Sequence, residues 1–137
     1  MNSKFFLGGI VGGIVYFLLG WLIYGMLLKD FMTSNGAPAM KEELVWWALI
    51  VGNLAGGFLL AYVIGRGAAS VASGAGAGFV VGLLTALSFD LIMYATTVSS
   101  MSMKGIAVDV AVSAVMSAIV GAIVGAVMAG KKSVAAA

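Results

Sequence analysis

The chain has 137 residues, of which 63% are hydrophobic and 9% are charged, and its net charge is +2. A soluble domain carries about 25% charged residues; no soluble core of this length could hide so much apolar surface, so the chain must be solvated by lipid. The sequence contains no cysteine or histidine, which excludes disulfides, thiol chemistry, catalysis by histidine and most transition-metal sites. The small net charge gives no reason to expect nucleic acid as a partner.

The first apolar run covers residues 5–28 and contains no charge. At ~1.5 Å per residue it crosses a hydrocarbon core of ~30 Å, which predicts a transmembrane helix. A cleaved signal peptide is the alternative, because a lysine precedes the run and the small residues 37–39 follow it. That alternative is disfavoured, since the run is too long and the charged residues Lys29 and Asp30 separate it from the small residues.

Three further apolar runs predict three further transmembrane helices, at residues 45–64, 74–98 and 106–129. Residues 29–44 are predicted to form a polar loop, because they contain turn residues and the single proline. The expected fold class is therefore all-α, with residues 1–132 forming one antiparallel bundle of four transmembrane helices. Residues 133–137 are expected to be a short tail.

Small residues repeat every four positions in all four spans, which places them on one face of each helix. The third span carries the most regular row, Gly74, Gly78 and Gly82, which resembles a glycine zipper. Such rows are the ordinary way for membrane helices to pack closely. Because all four spans carry them, more than a simple four-helix core needs, we also expect a homo-oligomer. The predicted packing positions on the other spans are Gly12, Gly52, Gly56, Gly121 and Gly125.

The row of the third span continues to Asp90 and Tyr94, so that one helix face changes from bare backbone to a carboxylate and a phenol. An ionisable group inside a membrane span indicates a functional site or a specific partner. Two interpretations of Asp90 stay open. In one, it is a neutral structural acid bonded to a tyrosine or asparagine of a neighbouring helix. In the other, it binds or relays a cation or a proton.

The polar residues of the spans fall mainly in the half of the bilayer near the 29–44 loop, and the opposite half is almost purely Gly, Ala, Val and Leu. The predicted polar intramembrane site consists of Asp90, Tyr94, Asn53, Tyr24 and Asp109. Asp109 has a second explanation, because an acid about one turn from the predicted start of a helix favours the helix dipole. Tyr16 lies in mid-span, so its hydroxyl needs a partner or a water.

An even number of spans puts both termini on one side of the membrane. That side carries four Lys and Arg residues, Lys4, Arg66, Lys131 and Lys132, and the other side carries three. The positive-inside rule therefore favours cytoplasmic termini. We expect an integral protein of a bacterial inner membrane, with the lipid bilayer as its immediate partner.

Three stretches of the chain carry a resemblance to a known family. They are residues 19–25 (LGWLIYG), the glycine-rich third span, and residues 108–110 (VDV) leading into residues 121–125 (GAIVG). These stretches resemble small bacterial four-helix membrane proteins that are described only as a domain of unknown function. The resemblance implies a four-helix inner-membrane protein, and it carries no activity over to any residue. Asp90 is not matched by the pattern of that family.

The sequence contains no phosphate-binding loop, no HExxH or CxxC motif and no nucleophile beside a base. We therefore expect no enzyme, no cofactor and no metal centre. Two functions stay open. The polar half indicates a channel-like or transporter-like protein. The short loops and the Gly/Ala faces indicate a non-catalytic structural or accessory subunit that self-associates or joins a larger membrane complex.

Overall fold

The computed structural model describes the backbone of residues 2–136 and the side chains of residues 2–130. Four helices in this range are long and apolar enough to cross a membrane, so the predicted all-α bundle of four transmembrane helices is confirmed. The elements are α1 (Ser3–Leu22), which continues into a π-helical turn (Ile23–Leu27), α2 (Lys29–Ser34), α3 (Trp46–Ile64), α4 (Val71–Thr96) and α5 (Met103–Ala136).

Two boundaries of α5 differ from the prediction. The helix begins at Met103 rather than at residue 106, because the Ser102 hydroxyl accepts a hydrogen bond from the Gly105 amide at 3.1 Å and caps the first turn. At the other end the helix reaches Ala136, so it includes most of the expected tail, whose alanines favour helix. Gly130 interrupts it with a φ of 71°, a conformation that favours glycine. The side chains of residues 131–137 lie outside the described part.

The prediction of a loop over residues 29–44 is wrong at its start, where α2 forms. This short helix is stabilised by packing, since the side chain of Met32 is only 7% exposed. The turn residues then act as expected: Asn35 ends α2, and Gly36 follows with a φ of 94°. The connection is tied to the one between α4 and α5, because the Ser102 amide donates to the Asn35 carbonyl at 2.7 Å.

The helices α4 and α5 form the closest pair in the bundle. A Cβ atom added to any of three glycines of α4 would meet backbone carbonyl oxygens of α5. The opposing residues are Gly121 for Gly74, Ser117 for Gly78 and Ser113 for Gly82. The two helices therefore run antiparallel in a fixed register, and the glycine-zipper row of α4 serves packing within the bundle.

The helices α1 and α3 form the second close pair. The backbone of Gly57 on α3 lies against Gly9 and Gly13 of α1, so that a Cβ atom at Gly57 would collide with both. Gly12 packs there as predicted, but two predicted packing positions do not. Gly52 has no neighbour within 4 Å, and Gly56 approaches only the Tyr16 ring. The reason is rotation of α3, whose buried face passes through Gly57, Leu60, Ala61 and Ile64.

The bundle has two unlike halves. We call the half near residues 2, 65–70 and 130 the terminal half, and the half near residues 28–45 and 97–102 the loop half. The hydrophobic core lies in the terminal half, with Leu60, Val120 and Val124 fully buried. The buried residues of α3 all lie in its second part, so α3 contributes nothing to a packed core in the loop half.

Candidate functional site

A cavity of about 510 Å³ lies in the loop half, under α2 and residues 37–40. Its size falls within the range of small-molecule pockets, ~300–1,000 Å³. Most of its wall is apolar, and the aromatic members are Phe17, Trp21, Tyr24 and Phe89. Four polar side chains also reach it, Lys29, Thr33, Asn53 and Asp109. The cavity therefore combines an aromatic wall with one carboxylate.

Tyr16 of α1 and Tyr24 of the π-helical turn that follows it face two serines of α5. The Tyr16 hydroxyl donates to the Ser117 hydroxyl at 2.7 Å, which supplies the partner that the sequence required. Nearer the loops, the hydroxyls of Tyr24 and Ser113 lie 3.1 Å apart, and either can be the donor. Tyr24 lies in the π-helical turn, a feature that is frequent at functional sites. These contacts hold Tyr24 between the cavity and α5.

The side chains of Asp90 on α4 and Asp109 on α5 are neighbours. The glycine register explains this meeting, because its continuation by one turn brings Ala86 opposite Asp109. Side chains on a helix point back towards its N-terminus. In an antiparallel pair, Asp90 and Asp109 therefore tilt towards each other from adjacent turns.

Asp90 is only 5% exposed, and its Oδ2 atom has no hydrogen-bond partner among the described residues. The predicted tyrosine or asparagine partner is not found there, and the neighbouring acid is Asp109. Two neighbouring ionised carboxylates repel each other, and a proton or a cation between them relieves that repulsion. The carboxyl pair is thus suited to hold and release one positive charge.

Asp109 lies in the second turn of α5, because the helix begins earlier than predicted, and no acid occupies the first turn. This position removes the basis for the helix-dipole explanation, since that effect falls off within the first turn. The Tyr24 hydroxyl is also close to the Asp109 backbone carbonyl, at 3.5 Å. Asp109 is therefore placed to link the cavity with Asp90.

The other two predicted site residues stand apart from the carboxyl pair. Asn53 lines the cavity, but its amide donates to the Leu49 carbonyl of its own helix at 2.7 Å. Tyr94 is 50% exposed. It shares the face of Asp90 by spacing, but the register between α4 and α5 places it opposite residue 101, before the start of α5. Tyr94 therefore faces outwards.

Sequence reasoning missed several residues of the site. Ser113 and Ser117 were visible as members of the Asp109 row, and Tyr16 and Tyr24 share one row on the first span. The tyrosines are eight residues apart and the serines four, so spacing alone does not predict the two hydrogen bonds. Phe89, Met32 and Met101 of the cavity wall carried no such signal, because their position depends on α2 and on the linked connections.

In comparisons with known proteins, no family model matches this chain, and no curated protein or solved structure matches it. The resemblance to a four-helix family therefore stays a prediction. The carboxyl pair and the cavity are the features of this structure that bear on function.

Proposed function

We propose that this protein is a non-enzymatic membrane protein of the channel or transporter type, which handles cations or protons at a site in the loop half. The observation that carries the proposal is the meeting of Asp90 and Asp109 beside a cavity. An intramembrane acid is a functional group by default, and here two such acids are neighbours.

The unlike halves favour a transporter over an open channel. The terminal half is closed by fully buried side chains such as Leu60 and Val124. A solute in the loop half therefore meets a packed barrier, and passage requires the helices to rearrange. Sites near the middle of a membrane that open to one side at a time are the usual arrangement in transporters.

The test is ion flux into liposomes that contain the purified chain and a pH-sensitive dye. Gradients of protons, Na⁺ and K⁺ are applied in turn. Asp90→Asn and Asp109→Asn keep the size of the side chain and remove its titration, so we expect each to abolish proton- or cation-dependent flux. Asp30→Asn is the matched control, because Asp30 is an exposed acid of α2 in the same half.

Flux that persists in both variants would refute the role of the carboxyl pair. Absence of flux from the native protein under all gradients would remove transport in favour of the second candidate function. In that function the protein is a structural or accessory subunit that self-associates or joins a larger membrane complex.

One observation favours this second candidate: Gly52 and Gly76 are exposed and have no neighbour within 4 Å. Exposed glycines allow a helix of another copy to approach closely. If they serve self-association, the native protein should exceed its monomer mass of 13.9 kDa in mild detergent. Gly52→Leu and Gly76→Leu should then reduce it to the monomer. A monomeric native protein in both detergent and lipid would remove the homo-oligomer.

The proposed location is a bacterial inner membrane, with both termini in the cytoplasm. It rests on the excess of one Lys or Arg residue on the terminal side. A reporter fused after Ala137 should therefore stay cytoplasmic, and a tag near Asn35 should be periplasmic. A cytoplasmic tag at Asn35 would overturn the orientation. Because the margin is one charge, Arg66→Glu should give mixed orientations.

A further inference from the structure

Building on the proposed function, we infer that the cavity binds an organic cation, whose apolar body lies against the aromatic wall and whose charge faces Asp109 and Asp90. The cavity is large enough for such a molecule at about 510 Å³. The proposal narrows the ligand from cations in general to one chemical class.

The wall of the cavity favours an organic cation over a hydrated metal ion. Phe17, Trp21, Tyr24 and Phe89 present aromatic rings to the space. Aromatic faces attract cations, and the attraction grows when water is excluded. The same rings bury the apolar groups that such a ligand carries. A bare alkali or alkaline-earth ion gains much less from this wall.

The polar groups are too few to replace the shell of a hard metal ion. Ca²⁺ takes about 6–8 oxygen ligands, and Mg²⁺ requires near-octahedral geometry. Within the described residues, no group of three or more acidic or other metal-ligating side chains lies together. An organic cation spreads its charge and needs only an opposite charge nearby, which one carboxylate supplies.

The carboxyl pair supplies that charge in a form that can be switched. Asp109 lines the cavity, and Asp90 lies behind it with a buried, unpartnered oxygen. The proposed exchange requires one proton at the pair when the site is empty, because two neighbouring carboxylates repel each other. When the cation enters, the proton leaves to water, and the net charge of the site stays at minus one, because the cation takes the place of the proton beside two carboxylates.

The empty pair holds two carboxylates and one proton, and the loaded pair holds two carboxylates and one cation. One positive charge therefore replaces another. Lys29 is the single basic side chain among the described residues that line the cavity, and it is exposed. Its ammonium group can reach the water, and its charge opposes the entry of a cation.

The experiment measures the binding of two probes to the full-length protein in detergent, by equilibrium dialysis and by quenching of tryptophan fluorescence. The probes are tetraphenylphosphonium and tetraphenylborate, which have nearly the same shape and opposite charge. We expect the phosphonium to bind saturably and to bind more tightly as the pH rises, because protons compete for the pair. The borate should partition without saturation.

Variants locate the site. Asp109→Asn should weaken phosphonium binding by about tenfold or more, because the charge partner in the cavity wall is lost. Phe89→Ala should weaken it by about fivefold through loss of a cation–π contact. Phe79→Ala is the matched control, since Phe79 lies on the same helix, is 45% exposed and is distant from the cavity wall. Lys29→Gln should tighten binding.

Equal binding of the two probes, or phosphonium binding that Asp109→Asn leaves unchanged, would overturn the inference. If such a result came with proton or Na⁺ flux that depends on Asp90, the proposed function would stand and only the ligand class would fall. If the phosphonium bound as expected but no flux occurred, the binding site would stand and transport would fall.

Discussion

The terminal half and the loop half are built from the same four helices and differ in how closely these approach. In the terminal half, glycines let backbones touch, as at Gly57 against Gly13 and at Gly74 against Gly121. In the loop half the facing residues are larger, with Tyr24 and Phe89 on opposite helices. The helices are held apart there, and the space between them is the cavity.

This comparison shows how one bundle can combine rigidity with a site. Close backbone contact leaves no room for water and no room for added atoms. Larger side chains in the terminal half should therefore destabilise the bundle, and the packing of this half should not depend on charged groups. The loop half should tolerate changes in bulk and depend on its polar groups. Matched mutations in the two halves test this difference.

The largest expected effect is on stability, from bulk in the terminal half. A Cβ atom at Gly78 would meet the backbone carbonyl of Ser117, so Gly78→Leu must separate α4 from α5. We expect a loss of at least about 3 kcal/mol in the free energy of unfolding, or no folded protein. The measurement is thermal or denaturant unfolding in detergent.

Gly76→Leu is the control on the same helix. Gly76 has no neighbour within 4 Å, so the substitution should leave the stability of the monomer unchanged or slightly raised, because leucine favours helix by ~0.8 kcal/mol over glycine. Equal effects of the two substitutions would contradict the register between α4 and α5.

The spacing of small residues predicted much of this architecture. The row through Gly74, Gly78 and Gly82 gave the contact face of α4 correctly, because a spacing of four on a helix fixes a face. The same reasoning failed for Gly52, since two overlapping glycine rows on α3 compete and only packing against α1 selects Gly57.

The candidate site was less predictable, for a physical reason. The polarity of the loop half follows from the depth of each residue in its span. Whether two polar residues meet depends on the register between helices. Asp90 and Asp109 meet because glycines several turns away set the register of α4 on α5. The cavity depends further on α2, whose buried Met32 lines it.

A smaller effect is expected from removing hydroxyl groups of α1. Tyr16→Phe deletes the 2.7 Å hydrogen bond to Ser117, which is itself buried. We expect a loss of about 1 kcal/mol, the usual net value of such a bond. Tyr24→Phe removes the longer contact with Ser113, at 3.1 Å beside the cavity, and should cost less stability.

The two tyrosine variants should affect function in the opposite order, with the larger effect from Tyr24→Phe. Tyr24 lies at the cavity wall, so Tyr24→Phe should change cation binding or flux, while Tyr16→Phe should leave both unchanged. The checks are unfolding in detergent and the liposome assay on the same preparations. A greater loss of stability from Tyr24→Phe would mean that the loop half contributes more to the fold than its open packing indicates.

The smallest effect on stability, and the one that best separates the two interpretations of Asp90, is expected from Asp90→Leu. A structural acid has partners that its removal leaves unsatisfied, at a cost of ~1–3 kcal/mol. Asp90 has instead an unpartnered oxygen and a second acid as its neighbour. Replacing such a group by an apolar one of similar size is neutral or stabilising.

We therefore expect Asp90→Leu to unfold at the same temperature as the native protein, or at a higher one, while flux is lost. Asp90→Asn should behave likewise, since its amide can donate to Asp109. A clear drop in the unfolding temperature of Asp90→Leu, with flux retained in Asp90→Asn, would identify Asp90 as a structural group and leave the loop half without its proposed switch.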